Sequence, residues 1–205
     1  MKMKTKRKAL LLSLCAVLLV VASVMGTMAY LTSTDEVKNT FTVGKVEITL
    51  DEKDTDNSTP NADRDKANSY LLVPGEKYEK DPTVHVKPVS EDSYIFVKVE
   101  NGLAAYEDAT SAAEGGYKSI ADQIIANGWT KLDGVDNVYY REYSKVASTV
   151  TADTNLVVFK EFKLKDTANE VNGWNTLNVN ITITAYAIQK AGFDTPIAAW
   201  AEVGD

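Results

Sequence analysis

The sequence predicts an all-β fold with one or two short helices, built as an antiparallel, jelly-roll-like β-sandwich. Three observations predict it. Apolar residues recur with period two in segment after segment, most clearly in LNVNITITAYAI, Leu177 to Ile188. Turn chemistry such as Pro74-Gly75, Asp133-Gly134 and Asp136-Asn137 separates those segments. A helical period appears only briefly, near Ser119 to Asn127 and again at the end of the chain. Several short alternating strands with turn signals between them are the pattern of a sandwich.

The first strand pattern starts at Phe41, in FTVGKVEITL, where Val46, Ile48 and Leu50 alternate with Lys45, Glu47 and Thr49. One face is then apolar, as a half-buried strand requires. Gly44 suits a bend or bulge. Residues Asp51 to Asn68 are polar and acidic and read as a loop. Tyr70 to Val73 is a short apolar run stopped by Pro74-Gly75. Thr83 to Lys87 alternates around Val84 and Val86, and Pro88 ends it. In Tyr94 to Glu100, Ile95, Val97 and Val99 share one face while Tyr94, Phe96 and Lys98 take the other.

Ser119 to Asn127 changes period: Ile120, Ile124 and Ile125 fall on a helical face, Ser119 and Asp122 form a cap, and Gly128 supplies the stop. Strand patterns resume at Trp129–Leu132, Val138–Tyr143 and Leu156–Leu164. The Leu177–Ile188 strand carries β-branched residues on both faces, which fits a sheet with one face on the core. Thr195-Pro196 then opens a short terminal helix with proline at its first position. The count is about eight strands. The triplet Asn-Gly-Trp occurs at Asn127–Trp129 and Asn172–Trp174, and both copies read as turns that place a Trp at the core edge.

The N-terminus carries a different signal. Met1 to Lys8 hold five cationic side chains and no acid, and a continuous apolar run follows from Ala9 to Val24. The order n-region, apolar region and small residues (Thr27, Ala29) is that of a secretory signal peptide, residues 1–29, with cleavage between Ala29 and Tyr30. An uncleaved anchor is the rival reading, because Ala9 to Met28 is about long enough to cross a bilayer. Cleavage leaves residues 30–205 as one domain, with 30–39 as a polar lead-in and 51–68 as the acidic loop. Removing five cations takes the formal charge from −7 to −12. That sign excludes nucleic acid as a partner and leaves contact with a membrane to the signal segment alone. The only cysteine, Cys15, lies in the signal, so the domain would hold no thiol or disulfide.

Motifs for catalysis are sparse. The single histidine, His85, sits in a strand pattern without a second histidine one turn away or a nucleophile elbow beside it. A hydrogen-bonded strand histidine is the plain reading, and no catalytic residue and no cofactor are assigned. Asp54, Asp56, Asp63 and Asp65 could offer hard oxygens to calcium. Their spacing lacks the glycine and closing glutamate of an EF-hand, so a solvated loop is the preferred reading. Asn57-Ser58-Thr59 and Asn180-Ile181-Thr182 match the glycosylation triplet. Tyr139, Tyr140 and Tyr143 read as cross-strand packing rather than a binding surface.

Several segments taken together resemble the TasA/camelysin family of exported proteins of Gram-positive bacteria. They are Gly26-Thr27-Met28-Ala29-Tyr30-Leu31-Thr32, Asn39-Thr40-Phe41-Thr42-Val43-Gly44-Lys45-Val46, Leu72-Val73-Pro74-Gly75 and Lys80-Asp81-Pro82-Thr83-Val84, then Ser90 to Val99, Ile183 to Phe193, and Ala198-Ala199-Trp200. The resemblance implies a jelly roll, processing by a signal peptidase of the SipW type, and a secreted protein of the extracellular biofilm matrix or cell surface. It further implies self-association into fibres, with an N-terminal segment (Tyr30, Leu31, and Phe41 at the first strand) completing the sheet of the next subunit. Camelysin's metalloprotease label does not transfer, since the chain shows no zinc-ligand motif. A camelysin-like surface peptidase and a monomeric ligand- or carbohydrate-binding module remain the alternatives to a non-enzymatic fibre subunit.

Overall fold

The computed structural model describes residues 8–9, 13–19, 45–60, 62–109 and 117–203. The chain forms two units, Met1–Thr42 and Val43–Asp205. In the first, residues 13–19 are helical and exposed, and Cys15 is a free thiol on this stretch. The beginning of the first strand pattern, Phe41 to Gly44, lies outside the described residues, as do Ala29, Tyr30 and Leu31.

The second unit is an all-β antiparallel sandwich, as the sequence predicts. Its strands are β1 (Ile48–Lys53), β2 (Arg64–Asp65), β3 (Lys77–Glu79), β4 (Thr83–Val86), β5 (Ser93–Asn101), β6 (Thr130–Lys131), β7 (Val138–Tyr143), β8 (Thr154–Val157), β9 (Glu161–Lys163) and β10 (Ile181–Gln189). One four-stranded sheet runs β2-β1-β4-β8, the other β10-β5-β7-β6, and β3 pairs with β9. Period two decides what each face does. On the inner face Val84, Val86 and Leu156 of the first sheet meet Ile95, Val97, Tyr139 and Tyr143 of the second in one core. The opposite face of β5 carries Tyr94 and Phe96 into a second, smaller cluster. Trp200 closes that cluster, with its ring 5.3 Å from Phe96 and 5.1 Å from Tyr186. The terminal helix Pro196–Trp200 delivers it, capped by Thr195, whose hydroxyl accepts the Ala198 N–H. The second sheet is thus covered on both faces, which is why Tyr94 to Val97 is one unbroken buried run.

The helix Ile120–Ala126 forms as expected: the Ser119 hydroxyl accepts the Asp122 N–H, and Gly128 sits at φ +86°. Ile120 and Ile124 enter the core, but Ile125 points to solvent. Both Asn-Gly-Trp triplets are turns with a left-handed glycine, Gly128 and Gly173. Trp129 is buried by the first and donates its indole N–H to the Val157 carbonyl at 2.8 Å.

Three sequence expectations are corrected. Leu156–Leu164 is two strands in different sheets, because Val158 and Phe159 are consecutive and both fully buried. A straight strand puts neighbours on opposite faces, so the chain bends there and leaves β4's edge for β3. The acidic stretch is not all loop: β1 continues to Lys53, and β2 pairs with it in the register Glu52↔Asp65 and Lys53↔Arg64. The long terminal strand starts at Ile181, four residues later than its alternation suggests, because Trp174–Thr176 forms a 3-10 turn before it.

Candidate assembly groove

Among the strand edges left open in the described residues, those of β1 and β10 line the same groove. β4 occupies one edge of β1 along Ile48–Asp51. On the other edge β2 reaches only Glu52 and Lys53. β10 pairs with β5 along all nine of its residues, and among the described residues its outer edge has no ladder partner. A groove of about 1110 Å³ is lined by Ile48–Glu52 on one side and Asn178–Ala185 on the other, with Tyr70, Leu72, Leu103 and Phe162 also in its wall.

The side chains at these edges are apolar and incompletely covered. Ile48, Leu50, Ile181, Ile183 and Ala185 pack on the core yet are only partly buried. Natural sheets protect a long edge with charge, proline or a bulge. β10, ITITAYAIQ, contains no charged residue and no proline. Such an edge offers unpaired N–H and C=O groups beside an apolar floor. Sequence reasoning could not find this groove, because its walls are about 130 residues apart in the chain and meet only through the sandwich.

The predicted site residues are distributed elsewhere. His85 bridges strands of the first sheet: Nδ1 lies 2.7 Å from Asn155 Oδ1 and Nε2 lies 2.9 Å from Asp51 Oδ1. Asp51 also pairs with Arg64 Nε. The Arg64 guanidinium further donates to Asp81 Oδ2 at 2.9 Å and to the Asp51 and Asp81 carbonyls at 3.2 Å. Burial pushes the Asp51 carboxyl up, but Arg64 and His85 outweigh it and hold it below the ordinary value. Both ring nitrogens of His85 are therefore engaged in a strand-tying network.

In the acidic loop the carboxylates of Asp54, Asp56 and Asp65 are taken up by nearby N–H and hydroxyl groups. Asp54 accepts the Ser58 and Thr59 N–H groups at 3.3 and 3.1 Å. Asp56 accepts those of Ser58 and Ser69 at 3.0 and 2.6 Å. Asp65 accepts the Ser58 and Thr59 hydroxyls. The Ser58 and Thr59 bonds depress the carboxyls of Asp56 and Asp65 respectively. Asp63 contributes its carbonyl to the Asp54 N–H at 3.1 Å. Among the described residues no three His, Cys, Asp or Glu side chains are grouped to hold a metal ion. The tyrosine cluster divides between faces, with Tyr139 and Tyr143 in the main core and Tyr140 against the smaller one.

The cleavage pair Ala29–Tyr30 and the assembly residues Tyr30, Leu31 and Phe41 lie outside the described residues. Among the described residues no helix is long and apolar enough to cross a membrane. One feature of the groove was invisible in the sequence. Glu52 and Lys80 are only 4% and 8% exposed and pair at 2.5 Å, whereas two charges in a polar stretch read as solvated. Comparison with protein-family models, with curated proteins and with solved structures finds no match.

Proposed function

We propose that this chain is an exported, non-catalytic structural protein whose subunits assemble into extracellular fibres by strand addition. The observation that carries the reading is the pair of open, apolar edges, β1 and β10, facing one groove. An added strand would gain backbone hydrogen bonds from an edge and register from alternating side chains. The occupant we assign is the segment Tyr30–Asn39 of a second copy, released by cleavage after Ala29. Its ten residues match the nine of β10 in length.

Residues 45–47 run in line with β1, held by the Lys87 and Glu91 N–H groups on the Glu47 and Lys45 carbonyls. The resemblance to the TasA/camelysin family supports the same reading, as does the export signal at residues 1–29.

The test is to express residues 30–205 with a native N-terminus, beside a version lacking residues 30–39, and to image both by electron microscopy. Filaments are expected from the first and not from the second. A mature chain that stays monomeric at high concentration would refute the assembly reading. Equal filaments from the truncated chain would refute the assigned segment.

A further inference from the structure

Glu52, Asn68 and Lys80 meet in the wall of the groove, and strand addition makes no use of their chemistry. Lys80 Nζ donates to Glu52 Oε2 at 2.5 Å, and Asn68 Nδ2 donates to Glu52 Oε1 at 2.9 Å. One buried carboxylate therefore touches both an amine and a carboxamide. The orientation of the amide is fixed by backbone groups that have no alternative role. The Thr55 N–H donates to Asn68 Oδ1 at 2.6 Å, and Nδ2 donates to the Lys53 carbonyl at 2.9 Å. The Thr55 hydroxyl donates to the same Oδ1 at 3.0 Å.

This is the equipment of acyl transfer. It comprises an amine nucleophile, a carboxylate able to carry its proton, a carbonyl oxygen with two donors aimed at it, and a leaving nitrogen held by acceptors. A plain buried ion pair requires none of the contacts to the amide, and burying both charges is costly in itself. We propose that Lys80 and Asn68 join in an intramolecular isopeptide bond, with Glu52 as the proton carrier.

The balance closes without a co-reactant. The Lys80 ammonium gives a proton to Glu52, and the Nζ lone pair attacks Asn68 Cγ. The carbonyl electron pair moves onto Oδ1, where Thr55 N–H and Oγ–H receive it. As the tetrahedral carbon collapses, Glu52 hands the first proton to Nδ2 and takes the second from Nζ, and the Cγ–Nδ2 bond breaks. Nitrogen leaves as ammonia, which takes that second proton from Glu52 as ammonium. One C–N bond forms, one C–N bond breaks, nothing is oxidised, and Glu52 ends as a carboxylate. The bond would close a loop of 13 residues from Asn68 to Lys80. It would fix the groove wall in a domain whose residues 30–205 hold no cysteine.

Intact mass and a tryptic map of the purified, folded chain test the bond directly. The linked protein is lighter than its sequence by one ammonia, about 17 Da. Trypsin would release Ala67–Lys77 still joined to the peptide that begins at Tyr78, and would not cut after Lys80. E52Q and N68A are expected to restore the sequence mass and the cut, apart from the substitution itself. A parent chain at its unmodified mass, or one showing only deamidation of Asn68, overturns the proposal without recourse to any variant. A link that persists in E52Q overturns the role of Glu52. These readouts are independent of filaments, so the bond and the assembly reading stand or fall separately.

Discussion

Replacing Ile183 by Thr separates a folding role from an assembly role at the groove. Ile183 pairs with Val99 across β10 and β5 and is half-buried at the groove wall. Thr keeps the β-branch, so strand propensity is little changed. Full burial of an Ile side chain is worth about 1.5–3 kcal/mol, and half-burial in the lone subunit makes the cost of I183T about 1 kcal/mol. There the new hydroxyl still reaches water. Once a strand fills the groove, the hydroxyl is enclosed among apolar side chains, and an unpartnered buried polar group costs about 1–3 kcal/mol more. Assembly should then weaken by about 2 kcal/mol, roughly 30-fold in the critical concentration, at about 1.4 kcal/mol per tenfold. Sedimentation of filaments across a concentration series reads that number, and a thermal melt of the unassembled subunit reads the smaller folding cost. Thr130 lies on β6 of the same sheet, is exposed and does not line the groove, so T130S serves as the matched control. An unchanged critical concentration in I183T, with the expected small loss in the melt, would show that the groove is not the assembly surface.

Other outcomes follow from the core and its turns. Trp129→Phe leaves the Val157 carbonyl without its indole donor and replaces the indole under Arg141 with a smaller ring. It should cost about 2–4 kcal/mol in denaturant unfolding, and a change within error would contradict the buried hydrogen bond. Gly75 adopts φ +79°, and a Cβ there would stand 2.6 Å from Asp166 Oδ1. Gly75→Ala should therefore destabilise by about 1–2 kcal/mol, where an unstrained Gly→Ala would stabilise. Burial pushes the Glu107 carboxyl up, and the Ile120 N–H and Asn101 amide bring it only part of the way back. Its folded pKa thus lies above its unfolded value of 4.5. Between the two the native state holds the extra proton, so this group's contribution falls as pH rises through that window. Glu107→Gln should remove that slope from a plot of stability against pH, and a retained slope would assign it to another group.

What the sequence revealed and what it hid divide along a physical line. β5 and β10 were legible because period two sorts their residues cleanly: Ile95, Val97 and Val99 go one way and Tyr94 and Phe96 the other. The helix at Ile120 was legible because cap, period and glycine stop agree. Ile125 was misplaced because three isoleucines do not fix the centre of a buried face. β2 was missed because Arg64–Asp65 is held by Arg64's bonds to Asp51 and Asp81 rather than by apolar pattern. The groove was missed for a related reason. A site made of unsatisfied strand edges is defined by which strands fail to pair, and pairing is decided between segments far apart in sequence. Glu52 and Lys80 were missed because each makes sense buried only when the other is present.

Arg64 controls how much of β1's edge is open, and that yields the last prediction. β2 is two residues long, too short to hold itself by ladder bonds alone. Its arginine grips both Asp51 and Asp81 by carboxylate and carbonyl, a fork that lysine cannot reproduce. Arg64→Lys keeps the charge and should release the strap. Amide exchange at Asp54, whose N–H is bonded to the Asp63 carbonyl at 3.1 Å, should accelerate by about tenfold, equivalent to about 1.4 kcal/mol of lost local stability. Exchange in the β5–β10 ladder should stay unchanged. Acid gives the same test from the other side. The folded Asp51 carboxyl lies below its ordinary 3.8, so the stability it contributes is present above pH 3.8 and is lost as pH falls through the lower folded value. The Asp54 amide of the parent should therefore open first in that acid range. In R64K, with the fork gone, part of this acid step should already be absent. If exchange at Asp54 is the same in both proteins at neutral pH, ladder bonds hold the strap and the guanidinium does not set the length of the open edge.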